Sequence, residues 1–170
     1  MNWQLVRPIF LTELPGNLCR LEYPNHPNGC PNYGRKGGCP PNAQPLKRLI
    51  KFSPIYVIWN VFLFGRHVQK MKYKHPEWSE RQARCCLYWQ GAARKQLRIE
   101  VGNFLLAHSD MYIIRCPEAS GVNVTATMAS IAKFLEWPPR EIAYQVVLAG
   151  KRKENCWKEI ENIKGGNNDV

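Results

Sequence analysis

Apolar positions along the chain fall into blocks of different period, and each block predicts an element. Residues 5–11 mix Val, Ile and Phe with polar neighbours and predict a short strand. Leu46, Leu49 and Ile50 at helical spacing predict a short helix, with Pro45 near its first turn. Residues 55–64, IYVIWNVFLF, carry β-branched and aromatic side chains on both parities, as a strand covered on both faces requires. His75-Pro76 then opens a long helical pattern, with Trp78, Gln82, Cys85 or Cys86, Trp89, Ala93, Leu97, Val101, Phe104 and Leu105 on one side. Gly91 and Gly102 weaken it locally. Residues 111–114 predict a strand running into Cys116-Pro117, and residues 125–137 a helix closed by Pro138-Pro139. A last strand is expected over 142–148, with Gly150 and the Lys-Arg-Lys run at the edge of the fold and a frayed GGNNDV tail.

Residues 15–45 break this order. The stretch PGNLCRLEYPNHPNGCPNYGRKGGCPPNAQP is rich in Pro, Gly and Asn, which excludes a long helix or a central strand. Thirty residues without regular structure are uncommon in a compact domain and call for a reason. Three of the seven cysteines, Cys19, Cys30 and Cys39, lie inside it. The expected fold is thus α/β: one small domain over residues 1–150, a central sheet flanked by helices, and a long Cys/Pro/Gly-rich metal-binding loop at 15–45. Residues 151–170 form a basic, polar C-terminal extension.

Composition bounds the function. With 170 residues and 45% hydrophobic side chains, the chain is long and apolar enough to bury a core. No stretch reaches the roughly 18 uninterrupted apolar residues of a membrane helix, and the N-terminus lacks the pattern of a secretory signal. A cytoplasmic protein with no membrane partner is expected, which excludes a membrane transporter, a collagen-like fibre and a small secreted disulfide scaffold. Seven cysteines, an odd number, in such a chain favour metal ligands, redox groups or core residues over disulfides. The formal charge of +11 is compatible with a phosphate-bearing partner such as RNA, or with an acidic redox partner protein. The basic residues are spread along the chain, so a solvated surface is the plainer explanation of the charge.

Thiolates bind soft and borderline metals, and their spacing records how the backbone wraps the ion. The gaps between Cys19, Cys30 and Cys39 are wider than in a zinc knuckle and match no common ferredoxin run. Local chemistry strengthens the metal reading. Cys30 and Cys39 each precede proline, and Gly34, Gly37 and Gly38 lie between them beside Arg35 and Lys36. Glycines let amides approach sulfur, and the cations lower thiolate pKa and offset cluster charge. The competing reading is a surface loop with incidental cysteines.

Cys30-Pro31-Asn32-Tyr33-Gly34, followed by Cys39-Pro40-Pro41-Asn42, resembles the signature of a family of small, largely uncharacterised, predicted metal-binding proteins of anaerobic microbes. Its members carry an upstream cysteine, a Cys-Pro-x-Tyr-Gly element and a Cys-Pro-Pro element, and an iron–sulfur cluster is attributed to them. The segment from Cys116 through Glu118-Ala119 to Gly121-Val122-Asn123-Val124 resembles that family's Glu-Ala and Gly-Ile-Asp-Val elements, which open a helix. The resemblance implies Cys19, Cys30 and Cys39 as ligands of a [4Fe–4S] cluster, with Cys116 as the fourth. Members often carry several cysteines before the Glu-Ala element, whereas only Cys116 stands there in this chain, so nothing supports a second cluster.

Read from the residues alone, the fourth position stays open among Cys116, Cys85, Cys86 and an exogenous ligand. Small buried side chains beside Trp89 are the plainer reading of Cys85 and Cys86. His26 would complete the site if it were Cys3His zinc, but a solvated loop histidine is the plainer reading, and Cys156 is read as non-functional. The expected function is an iron–sulfur protein with a redox or Lewis-acid role, which includes sulfur transfer. A zinc-stapled, basic nucleic-acid-binding module is the alternative. Whether the chain is an enzyme stays undecided, because GxSxG, P-loop, HExxH and dinucleotide motifs are absent from the sequence.

Overall fold

The computed structural model describes residues 1–22 and 27–154. His26 and Cys156 lie outside the described residues, as does most of the C-terminal extension. Four antiparallel strands form one sheet in the order β1-β2-β4-β3: β1 (Trp3–Leu5), β2 (Ile50–Phe62), β3 (Met111–Ile114) and β4 (Ala143–Arg152). The helices are α1 (Pro15–Arg20), α2 (Leu46–Leu49), α3 (Phe64–Lys74), α4 (Glu80–Ala83), α5 (Cys86–Ala107) and α6 (Val124–Ala129). Sheet and helices together make the small α/β body expected. Among the described residues, no helix is long and apolar enough to cross a membrane.

The two parities of β2 explain the layers. Ile55, Val57 and Trp59 face one core with Leu46, Val122, Val124, Met128 and Leu148. Ile58 faces the opposite core, where Phe104 of α5, Val147 and Ala149 close around it. Phe104 is fully buried, which contributes about 1.5–3 kcal/mol, and its ring meets Trp3 edge-on at 5.8 Å. Asn60 is a buried polar group on this second face. Its Nδ2 donates to the Ala93 carbonyl at 3.0 Å and to Gln96 at 3.3 Å, while its Oδ1 accepts from the Gln145 amide at 2.7 Å. Sheet and helix are therefore joined by a satisfied polar contact as well as by apolar packing.

Several boundaries differ from the sequence reading. β2 begins five residues earlier than expected because its register shifts between Ile50 and Ile55, where Pro54 occupies an irregular stretch that needs no ladder donor. β4 runs on through Gly150, Lys151 and Arg152, so the sheet takes in the first two residues assigned to the extension. The single helix expected after His75 is two. Ser79 and Gln82 form a capping box that starts α4, and Cys85 caps α5 after a break. The helix expected over 125–137 stops at Ala129. Ala132, at φ 57°, turns the chain left-handed, and the Lys133 amide closes on the Met128 carbonyl at 3.0 Å.

One strap sets the position of the cysteines. After β1 the chain crosses to the segment that follows β3, where Phe10 pairs with Val122 and the Leu11 amide donates to the Gly121 carbonyl at 2.9 Å. The Asn123 amide donates to the Ile9 carbonyl at 2.7 Å, and the Ile9 amide to Thr127 Oγ1 at 2.9 Å. The start of the cysteine loop is thereby held against the Cys116 segment.

Candidate metal centre

Proline at the first position of α1 supplies a preset φ where the helix needs no donor, and the short helix carries Cys19 in its last turn. The Cys19 carbonyl accepts the Cys30 amide at 2.8 Å, which ties two cysteines eleven positions apart. Gly29, buried and at φ 76°, makes this approach possible, since a β-carbon there would lie 2.6 Å from the Cys19 oxygen.

The loop is not bare of backbone bonding, as its composition led us to expect; it is wound into consecutive turns. The Tyr33 amide donates to the Cys30 carbonyl, Gly34 to Pro40, Cys39 to Lys36 and Ala43 to Cys39, all at 2.9–3.1 Å. Gly34 takes φ 69°, whereas a β-carbon at Gly37 or Gly38 would meet open space. Tyr33 and Pro40 lie under α1, 3.4 and 3.6 Å from where a β-carbon at Gly16 would sit.

The ionisation of these thiols is set by burial and by their neighbours. Burial pushes the Cys19 thiol up, and the neighbouring Cys30 and Cys39 push it further. The Cys116 thiol is also raised, first by burial, then by Glu118 and Cys39, while Lys36 and Arg115 oppose the shift. Glu118 itself is raised by burial. By accessible area both Cys116 and Glu118 are exposed. The surrounding loop atoms nevertheless limit the solvation of their polar ends, which disfavours the charged form of each. Cys39 is the member coupled to both sides of the group.

The donor chemistry fits a thiolate-held centre, with Arg35 and Lys36 in the loop and Arg115 beside Cys116. The geometry is open as it stands: among the described residues, no group of three or more His, Cys, Asp or Glu side chains is arranged to hold a metal ion. A cleft of about 380 Å³ opens beside Cys19 and Cys30, with Arg20 and Arg35 on its walls. A second, of about 930 Å³, runs from Gly37 and Gly38 to Arg115 and Cys116.

Cys85 and Cys86 lie elsewhere, at the start of α5. Cys85 is part-buried and Cys86 exposed, so neither is the small core residue that the helical pattern implied. Trp89 does enter the core, stacked on Phe62 at 5.5 Å. Sequence reasoning missed Gly29 and the repulsion between the Glu118 carboxylate and an ionised Cys116. The Asn28-Gly29 turn dipeptide was a usable signal for the first. No family model matches the chain, and no curated protein or solved structure matches it at a significant level.

Proposed function

We propose that the chain is an iron–sulfur protein that holds a [4Fe–4S] cluster through Cys19, Cys30 and Cys39, with Cys116 as the fourth ligand. One observation supports the reading: the Cys30 amide donates to the Cys19 carbonyl at 2.8 Å, and after burial it is Cys30 and Cys39 that push the Cys19 thiol up. Thiols that disfavour one another's ionised form are stabilised together as thiolates by a cationic centre.

Such a cluster supplies electron transfer when all four positions are filled by protein, or a Lewis-acidic iron suited to sulfur transfer when one is free. Whether Cys116, whose thiol is raised first by burial and then by Glu118, takes the fourth position decides between these roles. Arg20, Arg35, Lys36 and Arg115 around the cysteines suit an acidic redox partner protein.

Anaerobic purification followed by iron, sulfide and zinc analysis, with visible absorption and EPR spectra, tests the proposal. The expected result is a brown protein with iron and sulfide in equal amounts. Cys39→Ser abolishes the signal, whereas Cys116→Ser alters its EPR line shape. About one zinc per chain with no sulfide would replace the cluster by the zinc-stapled alternative.

A further inference from the structure

The positive charge of the chain is concentrated. Residues 64–98 hold nine Lys and Arg against two Glu, whereas the whole chain holds 24 against 13. Both glutamates have basic neighbours. Glu80 bridges Lys72 at 2.5 Å and Arg84 at 3.3 Å, and Glu77 lies 3.6 Å from His75. This segment contains α3, α4 and the first half of α5, whose apolar side chains Phe64, Val68, Ala83, Trp89 and Ala93 share one core.

The outward side of α3 has a definite chemistry. Arg66, Lys70 and Lys74 recur every four residues and are all exposed. Tyr73 stands among them with 88% of its surface in solvent. At the C-terminal end of the helix, His75 begins a chain of ring contacts. His75 stacks on Trp78 at 4.1 Å with planes 11° apart, and Trp78 meets Tyr88 at 4.8 Å. Tyr88 remains half exposed.

We propose that this face binds single-stranded nucleic acid, with Arg66, Lys70 and Lys74 on phosphates and Tyr73 and Tyr88 stacked against bases. Repeated cations along a helix match a repeated anion, and an exposed ring among them offers a surface that unpaired bases cover and paired bases do not. An anionic membrane fits less well. The apolar residues of α3 point into the protein, so the helix has no continuous apolar face to insert. The proposal does not depend on the cysteine site, and metal content and nucleic-acid binding are separate measurements.

Fluorescence anisotropy of the full chain with a labelled mixed-sequence RNA of about 20 nucleotides tests it, between about 50 and about 200 mM salt. Log affinity is expected to fall with log salt, with a slope of about −2 for three phosphates. The double variant Lys70→Gln/Lys74→Gln makes that slope shallower by about 1.4. Tyr73→Ala weakens binding about 5- to 150-fold with the slope unchanged. Lys51→Gln, an exposed charge at the opposite end of β2, leaves both unchanged. Circular dichroism and thermal melts check that each variant is folded. Absence of binding at about 50 mM salt overturns the proposal. So does equal affinity for duplex with a silent Tyr73→Ala, a Lys51→Gln effect as large as that of Lys70→Gln, or tighter retention on phosphatidylserine vesicles than on RNA.

Discussion

Gly29 faces the Cys19 carbonyl oxygen so closely that a β-carbon would come within 2.6 Å of it. The Cys30 amide then reaches that same oxygen at 2.8 Å, so the glycine and the hydrogen bond together set the approach of the two cysteines. Gly29→Ala adds this clash to a left-handed φ of 76°, which alone costs roughly 1–2 kcal/mol. Gly34→Ala meets the conformational cost at φ 69° but no clash. Iron or zinc bound per chain is expected to fall sharply in the first variant and only slightly in the second. Equal metal content in both would separate the Cys19–Cys30 approach from metal binding.

His67 gives the fold a pH dependence away from the cysteines. Its ring lies near those of Phe62 and Phe64, and its Nε2 is buried with no hydrogen-bond partner among the described residues. Burial first, and Lys70 second, hold its pKa below the usual imidazole range. The unfolded chain therefore takes up a proton before the folded one does. Stability is full above the ordinary value of about 6.5 and declines as pH falls through it toward the folded value. Thermal melts are expected to show this decline on the acid side. His67→Phe should remove it and raise stability by about 1 kcal/mol, because an orphaned polar nitrogen is replaced by carbon. A slope that persists in His67→Phe would assign the effect to another group.

Asn60 tests the joint between sheet and helix. Asn60→Ala removes the contacts to Ala93 and Gln96 and leaves the Gln145 amide without its side-chain acceptor. The expected loss is about 1–3 kcal/mol in urea unfolding, with the m-value unchanged. A change in m would mean that the variant alters the extent of the folded or unfolded state instead.

The layers of the fold were legible because β2 and α5 carry their patterns in consecutive residues. Val57 and Trp59 alternate with Ile58 and Asn60, and Trp89, Ala93, Leu97, Val101 and Phe104 repeat at three and four. α3 was missed although Phe64, Val68 and Met71 keep the same period, because three apolar positions among lysines follow directly on a strand with no stop signal between them. The early end of α6 rests on Ala132 adopting φ 57°, which its side chain does not announce. At the candidate site the cysteines and their Gly and Pro neighbours could be read locally. The pairing of Phe10 with Val122 that holds Cys116 against the loop could not, since it joins positions more than a hundred residues apart.

Metal removal should act on the loop and spare the body. Between Cys30 and Pro45 only Pro40 is buried, so the turns there rest on few apolar contacts. The sheet cores on the two faces of β2 contain none of the candidate ligands. A centre bound through Cys19, Cys30 and Cys39 would supply constraints that the loop packing does not, because unfolded thiols form no such site. Chelation or oxidation is therefore expected to open residues 16–41 to trypsin, at Arg20, Arg35 and Lys36, while a resistant fragment containing β2 to β4 survives. Mass spectrometry of a timed digest reads both. Cys39→Ser should give the chelated pattern without chelator. Equal resistance of the loop before and after metal removal would mean that its turns suffice to hold it and that the cysteines make no structural contribution through a bound centre.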